Sequence, residues 1–495
     1  MTRLIDMSET PEPDRLFFDA ADLPSILGGW WDRDASNLEI LSVAPHPDNA
    51  VTQCLLMATS TANWGERWDN NPHERLHKRI APNVAAVMVE RDWYETNRPT
   101  YPVPTLVVEN THVALRSLGR YVRGLTPATF VQVTGTEGKT GFKYFLDHVM
   151  KQQTRVFAQP RNGNLDNPIW RSLASVRRGD AYSIVEIACP AEATGTRRSK
   201  RVRPDLCVIT NTNPSHLKDH GREDLIPLHK AQSVDGLVHG GTCILNRDTG
   251  RFDELHACVV ARRPDVRIVT YSASDPDADA FVESATYRDL GWDVAARIDG
   301  ERHVFRINRV QEHSPVSCTG VLLAVSRLGL DVARAARDLK DFSTPFKTMG
   351  ALYRLRVGEG TFLFYDQHIS MTETALASAL SDVRRIQVPG RKIAVIGGEL
   401  NAGDYARELH ERIAKHIDRS DIDMLFTIGD YIEYTVNALQ RPERFCGHFF
   451  KAEQLAPKLV AGLRPGDLLF IKAVRVLNFQ AISQAIFASF PRADG

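Results

Sequence analysis

The stretch FVQVTGTEGKTGF, residues 130–142, decides how the rest of the chain reads. A β-prone apolar run leads into two glycines, a lysine and a threonine, and a helical pattern follows. Gly135 and Gly138 let the backbone curl so that successive N–H groups face an anion at the start of the next helix. Lys139 supplies a point charge for β- and γ-phosphates, and the Thr140 hydroxyl stands where such loops ligate Mg²⁺. The longer phosphate-loop spacing asks for a glycine at position 133, which is Val133 here, so the element is a shortened GxxGKT. A glycine turn with a chance lysine is the alternative. The strand before it and the helix after it favour a nucleoside triphosphate site.

Around that loop the chain has the composition of a soluble globular protein. Its 495 residues exceed one ordinary core, so several domains are expected. Hydrophobic residues make up 43% and charged residues 25%, with 61 basic against 61 acidic side chains. That balance gives no field for nucleic acid or membrane, and neither is expected as a partner. No run approaches the roughly 20 apolar residues that span a bilayer. The N-terminus MTRLIDMSETPEPDRLFF has no secretory pattern, and the seven cysteines form no CxxC pair. They read as buried free thiols of a cytoplasmic protein.

Apolar runs of strand length alternate with helix-length spacers: TFVQVTG, TRVFAQP, YSIVEIAC, DLCVITNT, GTCILNRD and VRIVTYSA. This is the pattern of a mostly parallel α/β sheet. Residues 287–308 read instead as antiparallel strands turning at Asp299-Gly300. After FSTPFKTMG the alternation resumes in GTFLFYD, RKIAVIGGEL, DMLFTIGD and DLLFIKAV, a second, Rossmann-like unit. Before the joint YVRGLTPAT, VAAVMVERDW and PTLVVEN are the expected strands. The fold class is therefore α/β in three domains. A small mixed N-terminal domain spans 1–125, a central phosphate-loop domain 126–345, and a C-terminal Rossmann-like domain 346–495.

The chain resembles the Mur ligase family, ATP-dependent amide ligases of peptidoglycan-precursor synthesis, and most of all its ligases adding the third residue or the D-Ala-D-Ala dipeptide. The short Gly-Thr-x-Gly-Lys-Thr loop is the family's form. RNGNLDNPIW (161–170), SIVEIACPAEA (183–193) and PDLCVITNTNPSHLKDHG (204–221) follow in family order, as do CILNRD, VIGGELNAGDYARELHERIAKHI and GDLLFIKAVR. The resemblance implies that Gly135, Thr136, Glu137, Gly138, Lys139, Thr140 and Gly141 hold the phosphates of ATP. It implies two Mg²⁺ ions served by Thr140, Glu186 and His216, and a CO2-derived carbamate on Lys230. Lys139, Glu186, His216 and Lys230 are then the catalytic set. His313 and Ser317, Asp366 in LFYDQH, and Lys347 in a hinge-arginine role complete the expected nucleotide contacts. The activity implied is an acid–amine ligation through an acyl phosphate. The N-terminal domain would hold the acid, and the C-terminal domain would bring the amine and close over ATP, in a monomer or homodimer.

Each of these residues also has a plainer reading: a paired acid for Glu186, a capping or packing role for His216 and His313, a solvated lysine for Lys230. The basic run TRRSKRVR (196–203) reads as solvated surface or as a grip for an anionic substrate. Several positions depart from the family. Gly141 replaces a second hydroxyl residue, Glu137 adds a negative charge beside the phosphates, and Ser314 and Ser317 stand at asparagine positions. EILSVAPHPDNA (39–50) occupies the place of the Asp-Ser-Arg uridine segment, and FIKAVR lacks Lys-Gly-Ser. The departures concern substrate recognition more than catalysis. They favour a ligase acting on a non-UDP acid, such as a specialised-metabolite or peptide intermediate. A UDP-MurNAc-peptide ligase is the first alternative and a non-catalytic nucleotide-binding partner the second. A phosphate-loop kinase or GTPase fits worse, because no Asn-Lys-x-Asp element is present.

Overall fold

The computed structural model describes residues 14–44, 53–58, 73, 76, 80, 83–213, 222–344, 350–368, 371–399 and 405–493. Among the described residues, twenty strands form three sheets, and most neighbours in them run parallel. The chain divides into two units, one of 1–212, 227–245 and 251–269, the other of 213–226, 246–250 and 270–495.

In the first unit, β1 (Gly29–Trp31) pairs antiparallel with β5 (Thr105–Val108). Parallel pairs join β5 to β4 (Val84–Glu90), β4 to β3 (Cys54–Met57), and β3 to β2 (Ser42–Ala44). The expected strand VAAVMVERDW ends at Glu90. Arg91–Asn97 is helical instead, where the near-continuous burial of β4 gives way to half-buried and exposed side chains. Likewise the joint YVRGLTPAT is half helix: Thr111–Leu125 runs through Gly124, capped by the Asn110 side chain accepting from the Val113 N–H.

β6 (Thr129–Thr134) lies between β8 (Tyr182–Glu186) and β9 (Leu206–Ile209), parallel to both. β7 (Val156–Ala158) flanks β8, and β10 (Thr242–Asn246) flanks β9. Their near-continuous apolar runs follow from burial on both faces. One face packs Phe130 and Val185 with Leu118, Trp170 and Leu173; the other packs Cys207, Ile209 and Leu245 with Val234 and Val259. β11 (Arg267–Ser272) follows as the next strand in the order.

In the second unit, β12 (Ala280–Arg288), β13 (Gly291–Ile298) and β14 (Glu301–Ile307) form two tight hairpins. The turn at Asp299-Gly300 appears as expected, with φ of 52° and 86°. The other turn, Asp289-Leu290, also holds positive φ, and a leucine there gives no sequence signal. β16 (Gly360–Gln367), β20 (Leu468–Lys472), β17 (Lys392–Gly397), β18 (Met424–Ile428) and β19 (Phe445–Phe449) run parallel in that order, with β15 (Ala351–Val357) antiparallel on β16. β19, FCGHF, is half-buried throughout and lacks the apolar run that marks its neighbours. All seven cysteines are unpaired thiols; Cys258 and Cys446 are half-buried and the other five buried. Among the described residues, no helix is long and apolar enough to cross a membrane.

Candidate active site

The phosphate loop leaves β6 at Thr134 and enters the helix Lys139–Lys151, with Gly138 as its N-cap at φ 76°. Gly135, at φ 143°, lies so close to β9's end that an added Cβ would stand 2.1 Å from Thr210 Oγ1. Thr210 and Asn211 hold the loop from that side. The Thr210 hydroxyl donates to Glu137 O at 2.5 Å, and Asn211 Nδ2 donates to the same carbonyl at 3.1 Å. Asn211 Oδ1 accepts from the Glu137 N–H at 3.2 Å, and from the Thr136 hydroxyl. Thr210 and Asn211, inside the family-like segment 204–221, are therefore the scaffold of the loop.

Lys139 Nζ donates to the carbonyls of Gly135 and Thr136, each at 2.9 Å, so its charge stays over the loop. The Thr140 hydroxyl donates to Glu186 Oε2 at 2.9 Å. Glu186, at the C-terminal end of β8, is fully buried; Asn164 Nδ2 donates to its other oxygen at 2.9 Å, and its N–H donates to Gln159 Oε1. Lys143 Nζ lies 3.5 Å from Glu186 Oε2. Burial pushes the Lys143 ammonium below its ordinary pKa, and the charge of Glu186 opposes that shift. A hydroxyl and a carboxylate side by side, both hard oxygen donors, suit Mg²⁺, which commonly takes one or two protein oxygens and completes its shell with phosphates and water. Among the described residues no group of three or more His, Cys, Asp and Glu is placed to hold a metal by itself.

Lys230 sits in the helix Ile226–Ala231, 4% exposed, and its Nζ donates to Cys189 O at 3.0 Å. It thus reaches the segment just beyond Glu186. Its neighbour His229 is held below its ordinary pKa by burial and then by the Lys230 charge. The first unit therefore brings together the loop residues 135–141, Glu186 and Lys230. His216 and Lys347 lie outside the described residues, as does the second half, 45–50, of the stretch in the uridine-segment position.

In the second unit, His313 is exposed as the N-cap of the helix Ser314–Arg327, and Ser317 lies in that helix's first turn. Asp366 turns inward: it is fully buried, with one oxygen 2.6 Å from His368 Nδ1 and the other accepting from Ser483 Oγ at 2.7 Å. The basic run is not an open anion grip. In the helix Thr194–Val202, Arg197, Arg198 and Arg201 converge on Asp166, and Arg198 is buried. Sequence reading assigned no role to Asn164, Gln159 or Lys143. Asn164 lay inside the family-like segment RNGNLDNPIW, and Lys143 stands at i+3 from Thr140 on one helix face.

Residues 133–314 match the Mur ligase middle domain. Over 429 residues the chain is 23% identical to the UDP-N-acetylmuramoyl-tripeptide–D-alanyl-D-alanine ligase of Bacillus subtilis, covering 86% of this chain and 89% of that protein. The crystal structure of MurF from Acinetobacter baumannii superposes with a TM-score of 0.75 at 18% identity, covering 96% of this chain and all of that one. MurF ligase from Thermotoga maritima, in complex with ADP, gives 0.70 at 18%, covering 90% and 97%. Residues 133–314 thus match the middle domain of the Mur ligases, and the chain has the fold of the MurF structures along nearly its whole length.

Proposed function

We propose that this chain is an ATP-dependent, ADP-forming amide ligase that joins D-alanyl-D-alanine to a UDP-MurNAc tripeptide. The observation that carries the reading is the likeness to the Bacillus subtilis ligase across 86% of this chain, set beside a loop, Thr140 and Glu186 arranged for a nucleotide and a divalent ion. The non-UDP acid favoured by the sequence departures becomes the second reading. It still rests on one specific observation, the absence of an Asp-Ser-Arg segment from residues 39–50.

An amine does not displace oxide from a carboxylate at neutral pH. Transfer of the γ-phosphoryl group to a carboxylate oxygen breaks the bond to ADP and gives an acyl phosphate. The amine nitrogen then bonds to the acyl carbon, phosphate leaves with the C–O electron pair, and the amine gives up a proton. Positioning and charge stabilisation are what such a site contributes. Lys139 and the loop amides hold the β- and γ-phosphates; the clamp from Thr210 and Asn211 keeps those amides in place. Thr140 and Glu186 would hold Mg²⁺, which when bound neutralises charge on the phosphate oxygens. His216 and a carbamate on the buried Lys230 would serve a second ion. Residues 1–125 hold the acid, 126–345 activate it, and 346–495 bring the amine.

The test is a panel of acids and amines with ADP and phosphate release as readout, and Lys139→Ala as control. Turnover of UDP-MurNAc tripeptide with D-Ala-D-Ala, lost in Lys139→Ala, is expected. Turnover confined to acids without a UDP-sugar would replace this reading by the second.

A further inference from the structure

We infer that Lys143 is a positioning residue of the metal and phosphate site, tying the loop that carries Asn164 to the carboxylate of Glu186. The inference rests on the proposed role of Thr140 and Glu186 in holding Mg²⁺.

The side chain of Lys143 is fully buried beneath the phosphate loop, on the helix face that also carries Lys139 and Thr140. An ammonium group withdrawn from water is costly unless it is paired and hydrogen-bonded, and a methionine would fill similar space without that cost. A charge kept here therefore needs partners, and it has two from separate segments. One is Glu186 Oε2, 3.5 Å away at the end of β8. The other is the carbonyl of Arg161, in the loop after β7, to which Lys143 Nζ donates. Arg161 takes positive φ, 57°, and the Tyr144 hydroxyl reaches the same carbonyl at 3.4 Å. The Tyr144 ring lies 4.4 Å from Lys143 Nζ.

That loop is the one that supplies Asn164 to Glu186 Oε1, while Gln159 bridges Gly163 O and the Glu186 N–H. One short loop thus grips Glu186 at Oε1 and at its backbone N–H, while Thr140 and Lys143 of the helix meet Oε2, and Lys143 also ties the helix to that loop. The result fixes Oε2 against the Thr140 hydroxyl, where a cation between the two would be met by both oxygens. Partners that orient metal-binding carboxylates typically change metal affinity by about 10- to 100-fold when removed. Simple electrostatics runs the other way, because deleting a nearby positive charge favours a cation. The sign of the effect therefore separates positioning from mere charge.

The experiment uses the full chain and reads binding, not turnover. Lys143→Met, Lys143→Arg and Glu186→Gln are compared with the parent for thermal midpoint, for ADP affinity without divalent ions, and for the Mg²⁺ concentration that half-saturates binding of a non-hydrolysable ATP analogue. In Lys143→Met the Mg²⁺ half-saturation rises about tenfold, the metal-free ADP affinity stays within about twofold of the parent, and Lys143→Arg recovers part of the loss. An unchanged or lowered half-saturation in Lys143→Met overturns the inference while leaving the Mg²⁺ site standing. If Glu186→Gln itself leaves the Mg²⁺ requirement unchanged, the metal reading fails and this inference with it. Should Lys143→Met not fold, Lys143→Gln carries the same readout.

Discussion

Gly135→Ala tests whether the phosphate loop is held by its contact with β9 or by its own sequence. The added methyl would meet Thr210 Oγ1 at 2.1 Å, well inside any tolerable contact, with Asn211 N at 3.0 Å behind it. To make room the Thr210 side chain must turn, giving up the hydrogen bond of its single hydroxyl proton, which lies between Glu137 O at 2.5 Å and Thr134 O at 3.2 Å. Such a bond contributes about 1 kcal/mol. A φ of 143° is strained for any residue with a Cβ, costing about 1–3 kcal/mol. The sum is a loss of about 2–4 kcal/mol from the first unit. Urea unfolding followed by tryptophan fluorescence suits the measurement, since Trp30, Trp31, Trp93 and Trp170 all lie in that unit. The decisive comparison is Gly135→Ala in a Thr210→Ala background, where the clashing oxygen is gone. A coupling of about 1–2 kcal/mol is expected. Additivity within about 0.5 kcal/mol would show that the contact does not set the cost, and would refute the reasoning.

Two further outcomes follow from buried groups. Burial raises the Asp382 carboxyl to about 6 from its ordinary 3.8, so the folded state binds that proton more tightly than the unfolded chain. Its stabilisation is full below about pH 4 and is lost as pH rises through 6, on the order of 3 kcal/mol; Asp382→Asn should flatten that slope in unfolding midpoints taken from pH 4 to 7, and an unaltered slope contradicts it. Thiol titration of the native protein should find Cys258 and Cys446 reacting first, with Cys54, Cys189, Cys207, Cys243 and Cys318 reacting only on unfolding. Burial pushes Cys54 up to about 11, which keeps it a thiol at neutral pH; rapid labelling of it would contradict the packing around it.

Local chemistry made much of this protein legible before any coordinates. The strand–GxxGKT–helix order needs only short-range constraints: glycines where φ must be positive, an apolar run before them and helical periodicity after. The inner strands β6, β8, β9 and β10 announce themselves because burial on both faces leaves no room for polar alternation. The hairpin at Asp299-Gly300 is likewise written in two residues. What stayed hidden were matters of partnership across distance. β19 is broken by Gly447 and His448, and only in the fold do Phe445, Cys446 and Phe449 find the clusters they pack against. The basic run reads as open charge, yet three of its arginines end on Asp166, more than thirty residues earlier. Asp366 reads as a nucleotide contact, yet its oxygens are taken by His368 and Ser483, the latter 117 residues away in sequence. Lys143 looks like an ordinary helix lysine until β8 and the loop after β7 close over it. A sequence states which side chains are able to pair. Only the folded chain, by withdrawing them from water, decides which of them must.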